Sequence, residues 1–289
     1  MRFQHPAFEP YRDEITQLAL VHCRPGLAEL NALATARGLV NARHQPLCFT
    51  TPDGHLSARD YESRILASGC IPTRYDNWHD IMNALVWLRF PLFKAALNAA
   101  HGAALAAETS SQRGQRRDAL TVLDESGIWV TSRDHALADL LQQRQWHQLF
   151  WTQRKQVQTD MQFVVVGHAL LEKMLSPYPA MTGKCLLLKP SAISGSSSGA
   201  AQAEAQAMAA LALISTPSQF APLPLFGIPG WDVANEHPDY YDNQTVFRGN
   251  TFSRDVLPEQ AWRTPDQTQP DPVSPTSTPS AEDETRYRK

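Results

Sequence analysis

Imidazole and carboxylate side chains at helical spacing are the residues of this sequence best suited to chemistry. In GHALLEK (167–173), His168 and Glu172 are four apart and would share one face of a helix. A carboxylate that holds an imidazole fixes its tautomer and raises its basicity. That suits a general base or a metal ligand, although the spacing also occurs in ordinary surface pairs. A second group lies in WHDIMNALVWL (78–88). Apolar residues cover every face of this stretch, so a helix here should be buried. It nevertheless carries His79, Asp80 and Asn83, with His79 and Asn83 on a shared face. A buried polar group without a partner costs about 1–3 kcal/mol, so these residues belong to a polar network or line a cleft. Lys94, Asn98 and His101 follow at spacings of four and three on an alanine-rich stretch. The plainer alternatives are a solvated face for those three and helix capping for Asp80. Arg117, Asp118, Asp124 and Glu125 form the last group. Turn chemistry accounts for Asp124 and Glu125, whereas Asp118 adjoins three arginines and reads as a paired, ionised carboxylate.

The elements that must position these groups are mostly helical. Helices are expected over 13–21, 26–36 with Gly38 as C-cap, and 58–68 ended by Gly69. The segment 39–56, with its PDG turn, reads as extended chain with a short hairpin. A long helical signal covers 78–101, with Asp76 or Asn77 as N-cap and Pro91 dividing it or kinking it. In DALTVLDESGIWVTS (118–132) two β-prone runs flank DESG, which predicts a hairpin. That hairpin places Arg117 and Asp118 before its first strand and Asp124 and Glu125 in its turn. A helix is expected over 137–156, and a strand or helix start near 161 leads into a helix from Gly167. APLPLFGIPGWD (221–232) holds three prolines within eight residues and is expected to be irregular, laying its apolar groups along a groove. The sum is a helix-rich α+β fold with one small antiparallel element.

Composition limits the function classes. The chain has 289 residues and a net charge of -3, with a pI near 6.4. Nucleic-acid-binding domains that rely on bulk charge usually sit above a pI of about 9, so nucleic acid is not the expected partner. RGQRR (113–117) is the only concentrated basic run and reads as a solvated loop. Mean hydropathy is -0.36, no apolar run nears the roughly 20 residues of a membrane span, and the first residues lack the apolar core of a signal peptide. A soluble cytoplasmic protein is expected. None of the four cysteines forms a CxxC pair, so neither a zinc ribbon nor a dithiol of that type is indicated, and the thiols read as idle. HExxH, a phosphate-binding glycine loop and a GxSxG elbow are all absent.

Residues 258–289 carry 6 of the 21 prolines and almost no apolar side chains. Such a segment cannot bury enough surface to offset its ordering entropy. The expected organisation is therefore one domain over 1–257, with a flexible serine-rich insert at about 191–201, followed by a disordered tail.

Taken together, NWHDIMNALVWLRFPLFKAALNAAH (77–101), RRDALTVLDESGIWV (116–130), FVVVGHALLEK (163–173), PLPLFGIPGW (222–231) and YYDNQTVFR (240–248) resemble the bacterial family known as domain of unknown function 3025. The resemblance spans roughly residues 5–250. It implies one domain and names no substrate or activity. Its recurring polar positions coincide with those above and add Trp231, Tyr241, Asp242 and Arg248.

The leading expectation is an enzyme, a hydrolase or lyase working by His/Asp/Glu acid–base chemistry on a small molecule. His79 and His168 are its candidate bases or ligands, and Asp80, Asp118 and Glu172 would orient them or bind a divalent metal. Asn83, Lys94, Asn98, His101, Arg117, Trp231 and Arg248 would hold substrate. The metal's identity is left open. The alternative is a binding or regulatory protein whose polar stripes form a buried structural network and whose PLPLFGIPGW loop or tail engages a protein partner. The two readings part on one point. The enzyme needs both imidazoles and a carboxylate in one pocket.

Overall fold

The computed structural model describes residues 3–108, 114–188 and 197–249. The tail expected at 258–289 lies outside them, as do residues 191–196 of the insert. A 3-10 turn, Pro6–Tyr11, runs into α1 (Arg12–Gln17). The helix expected over 13–21 ends sooner, because Ala19 takes the left-handed conformation at φ +51°. α2 (Leu27–Ala36) is followed by Gly38 at φ +60°. The extended stretch beyond it contains an antiparallel bridge between Val40 and Pro46, then β1 (Cys48–Thr50). α3 (Ala58–Ser68) begins at Ser57, whose side chain accepts from the Asp60 amide, and ends at Gly69. β2 (Cys70–Pro72) lies parallel to β1. α4 (Trp78–Arg89) is capped by Asn77, and α5 (Pro91–Ala107) opens on the proline that separates the two.

The hairpin predicted at 118–132 is not formed. α6 (Gln115–Ser126) runs directly into β3 (Gly127–Ser132). Leu120 and Leu123 are fully buried at helical spacing. β-branched Thr121 and Val122 disfavour a helix only weakly, so tertiary burial overrides local preference. α7 (His135–Gln142), a π turn at Gln148–Thr152 and α8 (Arg154–Asp160) replace the continuous helix expected over 137–156. Arg144 at φ +55° interrupts it. β4 (Met161–Val165) and α9 (His168–Lys173) divide at Gly167, as the sequence suggested. β5 (Thr182–Leu188) precedes α10 (Ser197–Ala210), so the last residues of the supposed flexible insert are helical. Their alanine-rich continuation has the highest helix propensity. The proline-rich segment is not wholly irregular either. Ala221–Pro224 forms β6 at a sheet edge, where a proline forfeits no ladder bond.

The fold is helix-rich α+β. Its main sheet has the order β4-β3-β5-β6 and is mixed, which makes it larger than the antiparallel element expected. β3 is antiparallel to β4 and parallel to β5, and β5 is antiparallel to β6. Every residue of β3 is buried, as a central strand covered on both faces requires. Trp129 of β3 meets Phe90 and Phe93 edge to face, each at 4.9 Å. Burying each such ring stabilises the fold by roughly 1.5–3 kcal/mol. The Tyr11 hydroxyl donates to the Val165 carbonyl at 2.6 Å, tying the N-terminal turn to β4.

Candidate functional site

Five helices converge on a cavity of about 310 Å³, α5 through His101. α3 contributes Tyr61 and Glu62, and the first turns of α4 contribute His79, Asp80 and Asn83. α6 presents Arg117, Thr121, Asp124 and Glu125, and α9 supplies His168 as its first residue. Positions 117, 121, 124 and 125 follow helical spacing (0, 4, 7 and 8), so a single helix face carries all four. Gly167 sets the approach of α9 to α6. A Cβ on it would lie 2.5 Å from the Gly127 amide nitrogen and 2.6 Å from the Glu125 carbonyl. Only glycine lets the start of α9 come this close to the end of α6.

The two imidazoles meet at the cavity. Their Nε2 atoms are 3.1 Å apart, and their ring centroids 4.5 Å. Nδ1 of His79 lies 3.1 Å from Oε2 of Glu172. Nδ1 of His168 is buried and faces Oδ1 of Asp124 at 3.7 Å. Oε2 of Glu125 stands 3.5 Å from Nε2 of His168. The pairing read from the sequence, Glu172 with His168, is therefore not the one formed. Helical spacing puts those two on one face, but Glu172 reaches across to α4, and His168 turns toward the carboxylates of α6.

The surrounding charges are matched. Lys94, 4% exposed, donates to Asp124 Oδ1 at 2.5 Å. Burial alone would raise the Asp124 carboxyl, but Lys94 and His168 hold it far below the ordinary carboxylate range. Arg74 grips Asp80 through Nε and its terminal nitrogen, both at 2.9 Å. That grip lowers the Asp80 carboxyl despite its burial. Arg117 pairs with Glu108 at 2.9 Å. Among the described residues no cation is bonded to Glu62. Burial, helped by the nearby Asp124 charge, pushes its carboxyl up to about 7, although Asn98 donates to its Oε2 at 2.7 Å. Asn83 donates to the Tyr61 hydroxyl at 2.7 Å.

His79, Glu125 and His168 each offer one donor atom, and all three atoms lie within 4.8 Å of one another. Zinc bonds of about 2.0–2.1 Å at tetrahedral angles would separate two ligand atoms by about 3.3 Å. The observed 3.1 and 3.5 Å bracket that value. Each Nε2 also has a carboxylate behind it at Nδ1, Glu172 for His79 and Asp124 for His168. Glu172, at hydrogen-bond distance, fixes the His79 tautomer that frees Nε2 for a metal, while Asp124 faces His168 Nδ1 at 3.7 Å without a hydrogen bond. At 3.1 Å the two Nε2 atoms can share one proton or one cation.

Of the residues expected at the site, His79, Asp80, Asn83, His101, Arg117 and His168 line the cavity, and Glu172 bonds one of them. Lys94 and Asn98 sit behind it, holding Asp124 and Glu62. Asp118, Trp231 and Arg248 are not brought there. Trp231 packs against His5 and Phe163, next to a larger cavity near the N-terminal turn. Arg248 is exposed and donates to the Thr245 carbonyl. Asp118 lies on α6 but does not line the cavity, and Trp231 and Arg248 belong to later segments that pack elsewhere, so a shared motif pattern did not mean a shared location. The sequence alone does not single out Tyr61, Glu62, Arg74 or Thr121, and it places Glu125 in a turn. The stripe on α6 was legible as periodicity, but the hairpin reading concealed it. Tyr61 and Glu62 look like ordinary residues of an amphipathic helix until α4 and α5 are packed against them.

A family model described as "Protein of unknown function (DUF3025)" matches residues 47–251. No curated protein and no solved structure matches the chain.

Proposed function

Since the chain belongs to the DUF3025 family, whose description carries no activity, we propose from the geometry that it is a metal-assisted hydrolase acting on a small polar molecule. One observation carries the reading. Two imidazole Nε2 atoms 3.1 Å apart stand beside the Glu125 carboxylate, and each imidazole is backed by a second carboxylate. In this reading His79, His168 and Glu125 hold a divalent cation, and three protein ligands leave a coordination position open for water or substrate. Such an ion lowers the pKa of bound water to about 7. Glu172 and Asp124 orient the imidazoles. Glu62, a carboxyl poised near neutrality on the cavity wall, exchanges a proton with the reacting group. Arg74 and Arg117 bring positive charge to the rim, each already held by a carboxylate. The same groups would serve a lyase that removes a proton and expels a leaving group. The small cavity and the open position favour water as the nucleophile.

A cytoplasmic location goes with this reading. Its support is four cysteines, none in a disulfide, as a reducing compartment keeps them. Among the described residues no helix is long and apolar enough to cross a membrane.

The test is elemental analysis of the purified full chain after exposure to zinc, manganese or ferrous iron, followed by removal of excess. One equivalent of metal is expected. His79→Ala and His168→Ala should each lose it, and Arg248→Ala should keep it. A parent protein that retains no metal overturns the reading and returns the cluster to a structural role.

A further inference from the structure

Cys48 and Cys70 lie outside the proposed metal site and face one another. They are register partners on β1 and β2, with their Sγ atoms 3.0 Å apart. That separation is closer to the roughly 2.05 Å of a disulfide than ordinary non-bonded sulfur contact is. The backbone fixes the pairing. The Cys48 amide donates to the Gly69 carbonyl at 3.0 Å, and the Thr73 amide to the Thr50 carbonyl at 2.7 Å. Gly69 itself, at φ +74°, lets the Pro46 carbonyl lie 2.3 Å from where a Cβ would be. Adjacent strands about 4.8 Å apart fall within the Cα separation that a disulfide spans. Both thiols are only partly buried, so a small oxidant can reach them. We propose that Cys48 and Cys70 are a reversible dithiol–disulfide modification site, oxidised by a small-molecule disulfide such as oxidised glutathione.

The chemistry is asymmetric. Contact with the Cys48 thiol and a hydrogen bond to Ser68 lower the Cys70 thiol, and the Arg64 charge adds to this. Burial and the Cys70 contact push Cys48 up to about 11. Cys70 is therefore the sulfur that attacks first. Its thiolate displaces one glutathione thiolate from oxidised glutathione and forms a mixed disulfide. Cys48 then loses its proton to water and attacks Cys70 Sγ, releasing the second glutathione thiolate. Two protein thiols and one oxidised glutathione become one protein disulfide and two reduced glutathiones. The cross-link would tether β1 to the strand that joins α3, which carries Tyr61 and Glu62, to Arg74. Oxidation would thus stiffen one wall of the cavity.

The experiment treats the native full chain with oxidised glutathione, counts free thiols and maps peptides by mass. Loss of two of the four thiols is expected, with one cross-linked peptide joining Cys48 to Cys70, no added glutathione, and full reversal by dithiothreitol. Cys48→Ser should instead trap glutathione on Cys70. The proposal is overturned if Cys48 and Cys70 stay reduced in the wild type, carry separate glutathiones, or link to Cys23 or another chain. Wild-type mapping stands even where a variant folds poorly.

Discussion

Glu172 holds His79, not His168. Its Oε2 lies 3.1 Å from His79 Nδ1 across two helices and 93 positions of sequence, while the histidine four residues before it faces α6 instead. Each imidazole thereby gains its own carboxylate, and the two Nε2 atoms are left to face one another.

Removing that outer carboxylate should weaken metal binding without unfolding the protein. Glu172 is 40% exposed, so Glu172→Gln costs little packing. Affinity for zinc, measured by competition with a chelating dye, should fall about 10- to 100-fold, as it typically does when the carboxylate behind a metal-binding imidazole is lost. An unchanged affinity would show that Glu172 does not act through His79.

Lys94 and Asp124 form a buried pair whose halves depend on each other. Lys94→Met leaves the Asp124 charge uncompensated and should destabilise the fold by about 3–5 kcal/mol in urea denaturation. Adding Asp124→Asn to that variant should restore part of the loss. If the double variant is no better than the single, the coupling is absent.

Glu62 and Asp124 give stability pH dependences of opposite sign. The Glu62 carboxyl rises from 4.5 to about 7 on folding. Its contribution is whole below pH 4.5 and is lost as pH climbs through 7. Asp124 is depressed from 3.8, so its contribution is present above that value and lost as pH falls below it. Unfolding free energies between pH 4.5 and 8 should therefore decline less steeply in Glu62→Gln than in the wild type. Parallel curves would contradict the buried, raised carboxyl.

Gly167→Ala forces a methyl group into the α6–β3 junction, where backbone atoms stand within 2.6 Å. Overpacking of this kind costs about 1–3 kcal/mol. The displacement also moves His168 from Glu125. Thermal unfolding should shift downward, and bound metal should fall with it. A variant that keeps full metal occupancy would show that α9 need not approach so closely.

Gly69→Ala tests the strand register behind the thiol pair. A left-handed conformation costs an alanine about 1–2 kcal/mol, and the Pro46 carbonyl adds a clash. The variant should be less stable and should form less Cys48–Cys70 cross-link at a given oxidant concentration. Undiminished cross-linking would mean that Gly69 does not set the register.

The sequence by itself determined most of the helices that carry the site, α3, α4, α5 and the start of α9, but not α6. Gly69, Asn77 and Pro91 are local stop and start signals, and the spacing of His79 with Asn83, and of Lys94, Asn98 and His101, is a property of single helices. It also indicated that His79 and Asn83 need partners, because 78–88 is apolar on every face, and left Lys94, Asn98 and His101 open to a solvated face. Only the tertiary structure decided who those partners are. Tyr61 and Glu62 look solvated until α4 and α5 cover them, and the stripe on α6 became a helix face only because Leu120 and Leu123 found a core to fill. The choice of Glu172 for His79, and of Asp124 and Glu125 for His168, depends on distances between helices far apart in the chain. Helical periodicity is a repeat along one segment and says nothing of how two segments are brought together. That is settled by packing, here by a glycine at 167 with no side chain to keep α9 away.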